Sequence, residues 1–222
     1  MLDHHLITLY ALACALFPCL VVLWHRRQAA PWTHRLWALV FCCYLWLVYT
    51  VTGAGGLSDM ILQLHIFRDL GINSLADLIA VLLQPNEPSV FRCRLNLVPL
   101  RYIDCDLFLN ILMTIPFGFF LPFLYRSCRR FSLTVAAGAL FSLLIECSQL
   151  LTNRACDIDD LIANTLGAAC GYALCWFCGQ LFGKYLYQTP TNRREPVLLV
   201  LASFAGMFFL YHPLWFSNLI GS

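Results

Sequence analysis

FSLTVAAGALFSLLIECSQLL, residues 131–151, decides how the chain is read. It is apolar over the length that a helix rising roughly 1.5 Å per residue needs to cross about 30 Å of hydrocarbon. It also carries a carboxylate, Glu146. Five further stretches have the same length and apolarity: Leu6 to Trp24, Leu36 to Gly53, Leu107 to Tyr125, Leu161 to Phe182 and Val197 to Ile220. Across all six, Glu146 is the only formal charge. The expected fold is all-α, a polytopic transmembrane helical bundle of about six spans, forming one membrane domain over residues 1–222.

Composition agrees. Hydrophobic residues make up 60% of the 222 and charged residues 12%, against roughly 45–50% and about 25% in soluble proteins. With a mean hydropathy of +0.73, too little polar surface remains to solvate a globular body. Disorder would need the opposite bias, toward charge and away from aromatics. The first stretch follows Met1-Leu-Asp-His-His5 rather than a basic segment, and no small-x-small cleavage site precedes the basic run after it, so it reads as a retained helix.

Basic residues partition by side, since short loops rich in Lys and Arg stay in the cytoplasm. The loops after the first, third and fifth stretches hold Arg26, Arg27, Arg35, Arg126, Arg129, Arg130, Lys184, Arg193 and Arg194. Apart from Glu195 and Glu146, every acidic residue falls on the other side. Both termini are therefore expected outside a membrane that the chain crosses several times. The net charge of +2 averages two faces of opposite sign and gives no reason to expect a nucleic-acid partner.

Between the second and third spans, Ala54 to Asp106 has apolar runs too short to cross. Leu57, Met60, Ile61, Leu64 and Phe67 recur at helical spacing, and Ser74 with Asp77 forms a capping-box-like start to a second helix. A short interfacial helical segment is expected here, with a re-entrant hairpin as the alternative. Gln84-Pro-Asn-Glu-Pro88 reads as a loop.

Of the twelve cysteines, Cys14, Cys19, Cys42, Cys43, Cys147, Cys170, Cys175 and Cys178 lie within spans, where Cys packs as a small hydrophobe. Cys175-Trp-Phe-Cys178 matches C-x-x-C without the βαβ context of a redox site. No zinc spacing occurs, and neither a metal nor another cofactor is expected.

The chemistry gathers between Asn96 and Gly171. A carboxylate inside a span costs roughly 2.5–3.5 kcal/mol on insertion scales, so Glu146 is expected to face protein or water. Gln149 lies one turn above it, with Arg154 beyond the end of the span. On the next helix Asp157, Asp160, Asn164, Gly167 and Gly171 form one stripe. By helical rise, Asn110, Glu146 and Asn164 occupy one layer beneath a rim of Arg154, Asp157, Asp159 and Asp160. A binding pocket open to the outside would be built from these seven residues together with Gln149: Asn110, Glu146, Gln149, Arg154, Asp157, Asp159, Asp160 and Asn164. Interhelical hydrogen bonding explains single members as well, helix capping explains the aspartates, and close packing is the better reading of Gly167 and Gly171.

The series Asn96-Leu-Val-Pro99, Asn110, Pro116-Phe-Gly118, Glu146-x-x-Gln149, Arg154, Asp157-x-Asp-Asp160, Asn164 and Gly167-x-x-x-Gly171 closely resembles the VanZ-like family of bacterial membrane proteins, with residues 96–171 as the shared core. The family's founding member is associated with resistance to the glycopeptide teicoplanin. The resemblance implies an integral membrane protein of the cell envelope and supplies no reaction. The expected partners are membrane lipids together with a lipid-linked cell-wall component or an amphiphilic antibiotic. Arg154 would contact phosphate or carboxylate, and Glu146, Gln149 and Asn164 would hydrogen-bond below it. No catalytic constellation is identified. The alternatives are an enzyme using Glu146 or Asp160 as general acid or base on an envelope lipid, and a transporter.

Overall fold

The computed structural model describes residues 31–69, 71–72, 74–82, 95–96, 98–99, 105–150, 156–186 and 194–210. The helices are α1 (Trp32–Thr52), α2 (Leu57–Asp69), α3 (Leu75–Leu82), α4 (Cys105–Leu124), α5 (Phe131–Gln149), α6 (Ile158–Leu186) and α7 (Glu195–Leu210). Four are long and apolar enough to cross a membrane: α1, α4, α5 and the Ile158–Leu181 part of α6. The stretch Leu6 to Trp24 and the end of the last expected span lie outside the described residues. Within them α7 has only 16 residues, short of a crossing.

Local chemistry sets the helix ends. Pro31 precedes α1 with φ −61°, and its carbonyl accepts from the amides of His34 and Arg35. Gly53 closes the helix in the left-handed region at φ 65°, where a Cβ is disfavoured. The Ser74 box forms as its spacing requires: the Ser74 amide donates to Asp77 Oδ2 at 3.0 Å, and the Asp77 amide to Ser74 Oγ at 3.1 Å. Helix α6 starts at Ile158, three residues before the apolar run, because Asp157 Oδ1 accepts the Asp159 amide at 2.9 Å and caps the first turn.

The core is built on α4 against α6. A Cβ at Gly118 would overlap the Ala168 backbone carbonyl, and one at Gly171 the Ile115 carbonyl. At Gly167 it would meet Thr114 Oγ1 and the Ile111 carbonyl. The small residues thus let two backbones touch, the main route to association where lipid is as apolar as leucine. Helix α5 joins through Gly138, which faces the Ala168 methyl, and through Phe117 stacked on Phe141 at 4.4 Å and 9°. Helix α1 packs Phe41 on Phe117, and Tyr44 donates to the Met113 carbonyl at 2.8 Å. Leu112 and Leu140 point outward, 64% and 67% exposed, as side chains facing acyl chains do.

One element lies outside an all-helical reading. β1 (Leu95–Asn96) pairs in parallel with β2 (Cys156–Asp157), Leu95 beside Cys156 and Asn96 beside Asp157. This joins the Asn96-Leu-Val-Pro99 segment to the aspartate run across 60 residues of chain, and two-residue strands leave no periodicity to read.

Candidate functional site

Gly138, Ser142, Glu146 and Gln149 recur along one face of α5 and all are buried. Glu146 is 2% exposed. Its Oε2 accepts the Asp157 amide at 3.1 Å, so the carboxylate holds the strand that enters α6. The Cys156 thiol, outside the spans, also bonds to Glu146 and is pushed up to about 12, first by burial and then by the Glu146 charge. From an ordinary 9.0, that shift removes about a thousandfold of the thiolate at pH 8. Alkylation of Cys156, followed by mass spectrometry, is expected to be slower by that factor in the native protein than in the denatured chain. The native rate should rise about tenfold per pH unit; equal rates in the two states would contradict the assignment.

The remaining polar groups pair across helices. Asn110 Nδ2 on α4 donates to Asp160 Oδ1 on α6 at 2.5 Å. Asn164 Nδ2 donates to Ser142 Oγ at 2.9 Å, one turn deeper than Glu146. Gln149 Nε2 donates to the Thr52 carbonyl at 2.9 Å and closes the end of α1. Asn110, Glu146 and Asn164 are therefore staggered along the bundle rather than level. Asp160 pairs with Asn110, Asp157 with Glu146, and Ser142 lies beneath. Asp159 is buried, and Arg154 lies outside the described residues.

Two observations separate this cluster from ordinary interhelical bonding. Among the described residues, Asn164 Oδ1 is buried with no hydrogen-bond partner, an acceptor whose desolvation goes uncompensated at about 1–3 kcal/mol. Within the same residues, no Lys or Arg pairs with Glu146. Among them too, no three His, Cys, Asp or Glu side chains converge as a metal site requires. For the Asn110–Asp160 pair, a double-mutant cycle in detergent should give a coupling of about 1–2 kcal/mol, the upper part of the membrane range because one partner is acidic. A coupling near zero would show that the pair does not join α4 to α6.

Sequence reasoning missed Ser142, Cys156 and Thr52. Ser142 carried a usable signal, four residues before Glu146 on the same face. Cys156 and Thr52 carried none, because they arrive through strand pairing and a backbone carbonyl. It also passed over the opposite end, where His34 Nε2 bonds Glu195 Oε1 at 2.8 Å, both buried, with the Tyr125 hydroxyl donating to the same oxygen at 3.4 Å. Cys175 and Cys178 are free thiols.

A family model described as VanZ/LLP1 matches residues 36–179, which takes in α1 after its first turn, α4 and α5 and all but the last turns of α6. No curated protein and no solved structure matches the chain.

Proposed function

Because this chain belongs to the VanZ/LLP1 family of membrane proteins, we propose that its Glu146 cluster binds the polar head of an amphiphile at the outer face of a bacterial cytoplasmic membrane. The ligand class is a lipid-linked envelope component or a lipid-bearing glycopeptide or lipopeptide antibiotic, and the outcome is antibiotic tolerance or envelope homeostasis. The observation that carries this reading is a buried carboxylate one turn above a buried amide oxygen that has no hydrogen-bond partner among the described residues. Glu146 and Asp160 accept hydrogen bonds from hydroxyl or ammonium groups, and Asn164 Oδ1 accepts a third. Arg154, which follows α5 in the sequence, holds phosphate or carboxylate through its fork of donors. The acyl portion of the ligand stays in lipid, which suits a cluster at one end of the spans. The distribution of arginines in the sequence supports an acidic end that faces outward and an N-terminus on the same side.

Expression of the wild type in a susceptible bacterium is expected to raise tolerance to a lipid-bearing glycopeptide. Glu146→Gln and Arg154→Gln are expected to abolish that rise while reaching wild-type abundance in the membrane fraction. Tolerance equal to wild type in both variants would count decisively against the cluster as the binding site.

A further inference from the structure

A second polar feature lies at the other end of the bundle, where α4 turns into α5. The turn Tyr125-Arg-Ser-Cys-Arg-Arg130 brings three arginines together next to a cavity of about 230 Å³ between the end of α4 and the second half of α6. Pro122, Arg129, Tyr172, Cys175, Trp176 and Gln180 line it. Its walls are held in place. Arg129 Nε donates to the Pro122 carbonyl at 3.4 Å, one of the carbonyls that the last turn of α4 leaves without a helical partner. The Tyr172 hydroxyl donates to the Arg129 carbonyl at 2.7 Å, and the Tyr172 ring meets Phe131 edge-on at 5.4 Å.

Trp176 and Gln180 stand one turn apart on α6, and both face outward, Trp176 at 56% exposure. An exposed glutamine on a helix that spans hydrocarbon is costly unless it sits at headgroup depth with a polar neighbour. Gln180 lies one turn before Lys184, the first charge after this apolar stretch, which is that depth. Trp176 lies about 6 Å deeper, where an indole bridges headgroup and acyl chain. Leu174, Phe177 and Leu181 continue the exposed apolar face along the same helix.

We propose that this cleft is a binding site for one anionic phospholipid, with the phosphate at Arg129, the glycerol region against Gln180 and Trp176, and the acyl chains along α6. The charge complementarity is local: Arg126 and Arg130 flank Arg129 on the turn, and no acidic residue lies between Tyr125 and Phe131. Basic pockets between membrane helices hold such headgroups by the same combination of guanidinium, amide and interfacial aromatic.

Trp176 supplies the readout. Purified full-length protein is reconstituted in vesicles containing bromine-labelled phosphatidylglycerol or bromine-labelled phosphatidylcholine in otherwise identical lipid. The Trp176 component is the difference in quenching between wild type and Trp176→Phe. Phosphatidylglycerol is expected to quench it more strongly than phosphatidylcholine, and inorganic phosphate should not compete. Arg129→Gln is expected to weaken the phosphatidylglycerol preference about fivefold, the effect of one basic side chain at an anionic surface, and Arg126→Gln, exposed on the turn, much less. Gln180→Leu removes the amide from an outward position without touching the packing, and should also weaken the preference. Equal quenching by the two lipids, equal loss in Arg126→Gln and Arg129→Gln, displacement by inorganic phosphate, or an unchanged preference in Gln180→Leu would each overturn the site.

Discussion

Gly118→Leu is expected to leave little monodisperse protein after detergent extraction, measured by size-exclusion chromatography, and to be the most damaging single substitution in the described bundle. The reason is geometric. A Cβ at Gly118 falls inside the van der Waals radius of the Ala168 backbone carbonyl. Overpacking against side chains that can yield costs about 1–3 kcal/mol; two helix backbones cannot yield without separating α4 from α6, so the cost here is above that range. In lipid, little else drives those helices together. Gly71→Ala provides the contrast. Gly71 has φ +74° but nothing within 4 Å of an added Cβ, so its substitution costs only the left-handed conformation, about 1–2 kcal/mol, and should extract normally. A normal elution profile for Gly118→Leu would show that the α4–α6 contact is not the one described.

Glu146 separates structure from function by a pair of substitutions. Glu146→Gln keeps an oxygen in place for the Asp157 amide, which Oε2 accepts at 3.1 Å, and is expected to melt within about 1 kcal/mol of the wild type. Glu146→Leu keeps the volume but strands that amide, the Cys156 thiol and the entry to α6. Its expected cost is about 1–3 kcal/mol for the unsatisfied donor, offset in part by the removal of a buried carboxylate. The functional effect runs the other way: both variants lose the negative charge and with it tolerance. A melting point unchanged in Glu146→Gln together with lost tolerance assigns the carboxylate to a ligand. Lost tolerance that tracks melting temperature across the two variants assigns it to the fold alone.

Membrane residence was legible because a bilayer constrains length and polarity more strongly than any feature of tertiary packing. The Ser74–Asp77 box was legible for the same local reason, since four consecutive residues contain both partners. The glycine stripe predicted close packing but not its partners; Ala168, Ile115 and Thr114 appear only when α4 lies against α6. The polar layer was half legible. Helical rise put Asn110, Glu146 and Asn164 in one layer, whereas their hydrogen bonds stagger them, because rotation and axial offset decide who pairs, and those belong to the packing of neighbouring helices. That is why Asn164 meets Ser142 and Gln149 meets Thr52.

Scarcity of charge along the sequence determined by itself that this is a helical membrane protein and which of its carboxylates lies within a span. Both follow from composition and from the cost of polarity in hydrocarbon; the family came separately, from the resemblance of the motifs in residues 96–171. Only the tertiary structure decided that Asp157 closes over Glu146, that Asn96 pairs beside it, and that Arg129 borders a cleft with Trp176 and Gln180. Those relations join residues distant in the chain, and they depend on how closely two helix backbones approach, a distance that the glycines permit but do not by themselves set.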